Sequence, residues 1–322
     1  MEKTLVRLGY KDFIHDVAYD FYCKRLATSS TDKLIKVWDC DRHGNWTLSS
    51  SWKAHDSSIW RIRWAEPEFG QILAICSLDN VASIWKETLD KAGQRRWDRL
   101  ATLRDERSSV TDVRFSPGCL GLAVATCSSD GALRLYAPRS HLRPGAFELE
   151  HSVACTRLRL SCLAWNVAIS NRLQPAMIAV GSDDAQPAAP KVVVCEYDRA
   201  SHHWCVTEAL DAVTDPVQDL AFCPGESDGA FHLAVATKDV LILSLRYVEE
   251  GAKSVGGFER FEVQTLMQVG AKSGCVRRVC WNVAGSSLAS SGDDGFVRLW
   301  KANLVGQWKC YWEEETKNLD AT

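Results

Sequence analysis

Ile14-His15-Asp16-Val17-Ala18-Tyr19, Ile59-Trp60-Arg61-Ile62-Arg63-Trp64 and Val110-Thr111-Asp112-Val113-Arg114-Phe115 are one phrase written three times. An aliphatic residue is followed by any residue, then a polar residue or Cys, a second aliphatic, any residue and an aromatic. The phrase returns as Leu160-Ser161-Cys162-Leu163-Ala164-Trp165, Val217-Gln218-Asp219-Leu220-Ala221-Phe222 and Val276-Arg277-Arg278-Val279-Cys280-Trp281. Its closing aromatics stand at residues 19, 64, 115, 165, 222 and 281. A unit of this length cannot bury both of its faces alone and must stack on copies of itself. The repeat runs from residue 14 to residue 300, so a single repeat domain spanning residues 1–322 is expected.

The second repeat shows how one unit is built. Ser58–Trp64 reads as a strand. Gln71–Ser77 contains a short apolar run suited to a strand covered on both faces. Leu78-Asp79-Asn80 turns the chain, Val81–Trp85 is a third strand, and Arg96–Ala101 forms a fourth. Four antiparallel strands of this length make one twisted blade. The second strand returns as Leu26–Ser30, Leu122–Ser128, Met177–Ser182, Leu233–Thr237 and Leu288–Ser291, rich in Ala, Ser, Thr and Gly. Small side chains there let neighbouring sheets approach. The turn and third strand return as Asp32–Trp38, Asp130–Tyr136 and Asp294–Trp300. Repeat five shortens the turn at Asp239–Leu243, and repeat four loosens it across Asp183–Pro190. The expected fold is all-β: six blades near residues 14–46, 59–101, 110–150, 160–208, 217–266 and 276–312. Trp38, Trp85, Tyr136 and Trp300 are expected to be buried.

Hydrophobic residues make up 46% of the chain, enough for a substantial core. The net charge is -3 with Lys and Arg scattered, which argues against direct nucleic-acid binding. The 13 cysteines include no CxxC pair, and several, such as Cys76, Cys127, Cys162 and Cys280, fall inside strands as small hydrophobes. Without a signal peptide at Met1, this reads as a protein of a reducing cytosolic or nuclear compartment. No apolar run has the length of a membrane span, so no membrane insertion is expected.

Several chemistry-bearing residue types occur at positions with a structural role. His55, Ser77 and Asp79 have the residue types of a hydrolase triad, but they fall at positions that bond within a blade, and no Gly-x-Ser-x-Gly elbow occurs. His202-His203 has no third ligand nearby and sits in a polar loop. Gly292-Asp293-Asp294-Gly295 lacks the alternating ligands of a calcium loop. Asp16, Arg61, Asp112, Asp219 and Arg278 share one position of the first strand. They make either a solvated ring of charge around a channel mouth or a recognition surface for a peptide. Trp46, Trp52, Trp60, Trp97, Trp204 and Trp308 lie outside the third-strand position and serve blade packing, with one or two as interface anchors. Glu249–Gly257 reads as a flexible loop. No catalytic set, metal site or cofactor is expected.

No seventh repeat is present. The last repeat has its own fourth strand, Trp308–Trp312, which leaves Thr4–Leu8 as a spare strand. An unsealed ring would expose a sheet face and a strand edge.

The chain resembles the WD-repeat family at Val37-Trp38-Asp39, Ile84-Trp85 and Leu299-Trp300. In that family a His, a Ser or Thr, the turn Asp and the strand Trp form a buried hydrogen-bonded set. Repeat two supplies it as His55, Ser77, Asp79 and Trp85. Elsewhere the His is missing, so those blades are expected to rely on packing. Longer strings carry a closer resemblance. Trp52–Arg61 and Pro67–Ala74 are similar to two related propellers, one in the COPII vesicle coat and one the SEH nucleoporin family of the nuclear pore Y-complex. Met177–Asp184, Thr214–Phe222, His232–Asp239 and Ser290–Gly295 favour the nucleoporin family. Departures are Tyr10-Lys11-Asp12 without the usual His and a short tail after Trp312.

That resemblance implies an open six-bladed propeller that accepts a seventh blade in trans from an α-solenoid nucleoporin. It also implies other Y-complex subunits as partners, and subunits of the GATOR assembly that signals amino acids to TOR. The location it implies is the nuclear pore and nuclear envelope, with the lysosomal surface and cytoplasm through GATOR. Leu5, Val6 and Leu8 near the first repeat and Val297, Leu299 and Trp312 of the last are expected to flank the partner slot. The alternatives are a COPII-like coat scaffold and a closed peptide-binding adaptor.

Overall fold

The computed structural model describes residues 9, 12–104, 108–139, 147–166, 175–186, 189–227, 229–248, 260–303 and 305–316. Among the described residues the chain forms six four-stranded antiparallel sheets, each taken in chain order. Blade 1 comprises β1 (Ile14–Tyr19), β2 (Arg25–Ser30), β3 (Leu34–Cys40) and β4 (Trp46–Lys53); blade 2 comprises β5 (Ile59–Trp64), β6 (Ile72–Ser77), β7 (Val81–Leu89) and β8 (Arg95–Arg104). Blade 3 comprises β9 (Val110–Phe115), β10 (Val124–Ser128), β11 (Ala132–Pro138) and β12 (Phe147–Ala154); blade 4 comprises β13 (Leu160–Trp165), β14 (Met177–Ser182), β15 (Val192–Asp198) and β16 (His203–Ala209). Blade 5 comprises β17 (Asp219–Ser227), β18 (Ala230–Ala236), β19 (Asp239–Tyr247) and β20 (Phe261–Gly270); blade 6 comprises β21 (Val276–Trp281), β22 (Ser287–Gly292), β23 (Phe296–Ala302) and β24 (Trp308–Glu315). The fold class is the expected one, an all-β six-bladed propeller. Trp38, Trp85, Tyr136 and Trp300 are all buried. Leu5, Val6 and Leu8, the strand expected at Thr4–Leu8 and the loop Glu249–Gly257 lie outside the described residues.

The repeated phrase encodes a β-bulge. Plain alternation would put Ile59 on one face with Arg61 and Arg63. The ladder between β5 and β6 instead shifts between Ile59 and Arg61. The extra residue, Trp60, returns Ile59, Ile62 and Trp64 to one face. All three pack in the same apolar cluster. The shift recurs between Ile14 and Asp16, Leu160 and Cys162, and Val276 and Arg278.

By contact density the chain divides into two compact units, Met1–Ser152 and Val153–Thr322. In the first unit, one core joins blades 1 and 2 through Ile35, Val37, Ile59, Ile62, Ile75 and Trp85. Another joins blades 2 and 3 through Ala74, Ile84, Val113 and Tyr136. In the second unit, blades 4 and 5 meet through Ala179, Val194, Leu220 and Leu243. Blades 5 and 6 meet through Ala234, Ile242, Val279 and Trp300. The small residues of the second strands make these contacts close: a Cβ on Gly181 would lie 2.7 Å from Cys162 Sγ and 2.8 Å from Val217 Cγ1.

Polar groups join the blades beside these cores. Asp16 Oδ2 accepts from Ile62 N at 3.1 Å and from Arg63 in the next blade. Asp219 Oδ2 accepts from Val279 N at 3.3 Å. Trp64 Nε1 donates to Ala18 O at 2.9 Å and Trp281 Nε1 to Ala221 O at 3.0 Å. Neither open reading of the shared charged position holds for Asp16, Arg61, Asp112 and Asp219. All four are buried. Asp16 and Asp219 meet the neighbouring first strand, Arg61 pairs with Asp112 of the next blade at 3.7 Å, and Asp112 also accepts from Val113 N. Most of the tryptophans outside the third strand pack as expected. Trp52 and Trp97 stack with centroids 5.2 Å apart, Trp204 meets Trp165 edge-on and Trp308 meets Trp281 edge-on. Trp60 is exposed, with His15 against its ring.

Candidate functional site

Two features stand out from this frame: a hydrogen-bonded set inside blade 2, and uncovered apolar residues in blades 1 and 6.

In blade 2, Asp79 Oδ2 lies 3.1 Å from His55 Nδ1. His55 Nε2 lies 2.7 Å from Ser83 Oγ, which also accepts Trp85 Nε1 at 2.8 Å. The relay is therefore Asp79–His55–Ser83–Trp85. Ser77, the hydroxyl expected from the sequence, is outside it and donates to Ser58 O at 2.9 Å. The hydroxyl has changed strands. In blades 1 and 6 the strand Trp donates to Thr28 and Ser290, both on second strands. The equivalent position in blade 2 is Ile75, and Ser83 is its cross-strand partner on β7. The expected set needed one exchange: Ser83, across the ladder from Ile75, stands in place of Ser77.

Blades 3 and 6 replace the missing His with an Arg rather than with packing alone. Arg134 reaches Asp130 at 2.6 Å, and Arg298 reaches Asp294 at 2.6 Å. Arg298 also bonds Glu313 at 2.7 Å. These arginines sit across their ladders from Thr126 and Ser290. The sequence carried this signal as Asp130-x-x-x-Arg134 and Asp294-x-x-x-Arg298. In the same loop of blade 6, Arg277 grips Asp293 with two bonds of 2.7 and 2.9 Å. The pair Asp293-Asp294 is thus neutralised by arginine. His55 is held below the usual imidazole range by burial, which outweighs the attraction of Asp79. Both of its ring nitrogens are taken up within the blade, by Asp79 and Ser83.

A third polar device joins blades 1 and 2. Arg25 bonds Glu87 with two bonds of 2.8 and 2.9 Å, Asp39 at 2.8 Å and Gln71 at 2.9 Å. Its guanidinium lies over the rings of Trp64 and Trp97. Nothing in the repeat pattern singled out Arg25, because its partners come from distant segments.

The uncovered residues lie at core positions of the repeat. Ile59, Ile62, Val110, Val113, Val217, Leu220, Val276 and Val279 are buried. Their blade 1 counterparts are not: Ile14 is 41% exposed, Val17 46% and Tyr19 55%. Phe13, Phe21 and Tyr22 extend this exposed run. Higher on the same sheet, Leu26 and Trp38 are buried, so the exposure is concentrated along β1 and its flanks. In blade 6 the contrast appears on the face turned away from blade 5. Val37, Ile84, Val194 and Ile242 are fully buried, whereas Leu299 is half-buried. Val297 and Trp312 are half-buried as well, and β22 alternates where β2, β6 and β14 are buried throughout.

The sequence matches the family described as WD domain, G-beta repeat, over residues 2–39, 97–137 and 263–301. It is 46% identical over 311 residues to nucleoporin SEH1 of Homo sapiens, covering 95% of this chain and 86% of that protein. It is 45% identical to nucleoporin SEH1-A of Xenopus laevis, with the same coverage. It is also 45% identical to nucleoporin SEH1 of Danio rerio, covering 95% of this chain and 85% of that protein. A likeness of this depth along nearly the whole chain, on six blades of the WD type, is that of common descent: the chain belongs to the SEH1 nucleoporin family of WD-repeat propellers.

Proposed function

We propose that this chain is a non-enzymatic scaffold subunit of the outer ring of the nuclear pore complex, within the Y-complex, and is located at the nuclear envelope. The relatives named nucleoporin SEH1 support the pore assignment. Its physical counterpart is the exposed run Ile14, Val17 and Tyr19, at positions the other first strands bury.

An α-solenoid nucleoporin donates β-strands that cover these residues and the Val297–Leu299 face. Added strands supply main-chain hydrogen bonds along an open edge, and their side chains fill the apolar surface. Burying that surface is favourable by about 25 cal/mol per Å². The matched WD repeat that begins at residue 2 fits this reading. In the other two matches the repeat opens on fourth-strand residues, those of β8 and β20. By sequence position Leu5, Val6 and Leu8 fall where those two matches hold fourth-strand residues, which extends the proposed partner contact to them. One propeller domain over the whole chain then acts as a vertex of the scaffold. The relay of His55, Ser83, Asp79 and Trp85 holds blade 2 together and does no chemistry. Membership of the GATOR assembly, reached through the same propeller, is a second role carried over from the family resemblance.

The test is co-expression with the solenoid nucleoporin of the Y-complex, followed by size-exclusion chromatography. The parent chain is expected to co-elute with it, and Val17→Glu to lose the partner while keeping its own circular-dichroism melt. A parent chain that elutes alone, or a tagged chain absent from the nuclear rim in cells, would overturn the proposal.

A further inference from the structure

Blade 4 departs from its siblings at the third-strand aromatic. Trp38, Trp85 and Trp300 pair across their ladders with Leu26, Leu73 and Leu288. The residue paired in the same way with Ile178 is Cys195. A thiol is far smaller than an indole, and a second thiol fills part of the space. Cys155, in the connection between β12 and β13, holds the position of Ala54 in blade 2. Its Sγ lies 3.5 Å from Cys195 Sγ. All 13 cysteines are described, and none of them is in a disulfide.

We propose that Cys155 and Cys195 form a redox-modifiable dithiol, which hydrogen peroxide converts to a disulfide linking the β12–β13 connection to β15. Access is asymmetric. Cys195 is fully buried, whereas Cys155 is half-buried and can meet a small oxidant. The hydrogen bond with Cys155, together with burial, pushes the Cys195 thiol well above its ordinary range. Cys155 is therefore the first to react and Cys195 the resolving group.

In the first step Cys155 Sγ attacks a peroxide oxygen. The S–O bond forms, the O–O bond breaks and one water leaves. In the second step Cys195 Sγ attacks the Cys155 sulfur. The S–S bond forms, the S–O bond breaks, and the departing hydroxide takes the Cys195 proton as a second water. Two thiols lose two electrons, and one peroxide is reduced to two waters. The sulfurs must close from 3.5 Å to about 2.05 Å. In a reducing compartment such a disulfide is transient, as redox-sensing disulfides are.

The experiment treats the purified full-length chain with hydrogen peroxide, quenches with catalase, alkylates the remaining thiols and maps the peptides by mass. The expected product joins the Cys155 and Cys195 peptides, lacks two alkylatable thiols and reverts with dithiothreitol. Cys155→Ser is expected to abolish this link and to leave the other thiols reacting as in the parent. Cys195→Val removes the partner without burying a new polar group. If either variant fails to fold, the parent peptide map decides alone. Cys155 over-oxidised while Cys195 remains a thiol would overturn the proposal, as would a link from Cys155 to the exposed Cys205.

Discussion

Ser83 on β7 stands directly across the ladder from Ile75 on β6, and it carries the hydroxyl that blades 1 and 6 keep on the second strand. The exchange preserves the bond to the strand tryptophan because cross-strand partners point to the same face of a sheet. It also moves the polar centre of blade 2 off the residue that the repeat pattern designates. The energetic consequences differ between the two serines.

Ser83→Ala removes the acceptor of Trp85 Nε1 and the partner of His55 Nε2 together. Leaving buried polar groups unsatisfied costs about 1–3 kcal/mol each, whereas an ordinary hydrogen bond is worth about 1 kcal/mol. Urea unfolding should therefore show a larger loss for Ser83→Ala than for Ser77→Ala. The same midpoint for both variants would contradict the relay. Asp79→Ala is expected to fall in the same 1–3 kcal/mol range, roughly, by the same argument.

Arg298→Met tests the arginine substitute for the missing histidine. The Asp294 side chain is 1% exposed and Arg298 9%, so the carboxylate would lose its charged partner out of water. Hydrogen bonds to charged groups contribute about 1.5–3 kcal/mol, and a loss of that size is expected in chemical denaturation. Arg139→Met, at a highly exposed ion pair with Glu148, should change stability by less than about 1 kcal/mol. Equal effects at the two sites would remove the distinction.

Acid should weaken the fold through His55 and His15. Burial lowers the pKa of both, against the opposing attraction of Asp79 for His55 and of Asp12 and Asp16 for His15. A folded value below the unfolded one means that the unfolded chain takes the proton first as the pH falls. Stability is therefore complete above the unfolded value of 6.5 and is lost as the pH drops from there through the folded value. The urea midpoint should decline from pH 7 to pH 5, and less steeply in His55→Gln. A His55→Gln profile parallel to that of the parent would show that His55 takes no part.

The uncovered first strand separates folding from association. Val17→Lys replaces a half-solvated residue, and its effect on stability should stay within about 0.5 kcal/mol. Val113→Lys places a charge at the fully buried equivalent in blade 3, and the chain should fail to fold. Thermal melts of the two variants check this directly. A collapse of Val17→Lys comparable to that of Val113→Lys would mean that β1 is a closed core strand.

The sequence alone determined the number of blades, the strands within them and the burial of Trp38, Trp85, Tyr136 and Trp300. The reason is that each repeat restates the same local pattern, so six copies correct one another. It also carried, unread, the bulge in Ile59-Trp60-Arg61-Ile62 and the Asp294-x-x-x-Arg298 pairing, both of which are local. Tertiary structure alone decided which groups meet between segments far apart in the chain. Ser83 replaced Ser77 because a ladder register chose it. Asp16 and Asp219 turned from surface charges into inter-blade acceptors because the next blade's backbone lies against them. Arg25 found Glu87, Gln71 and Asp39, and Cys155 found Cys195, through contacts that no periodicity contains. Repetition makes the unit legible, whereas the contacts between units depend on three-dimensional stacking that a one-dimensional pattern does not record.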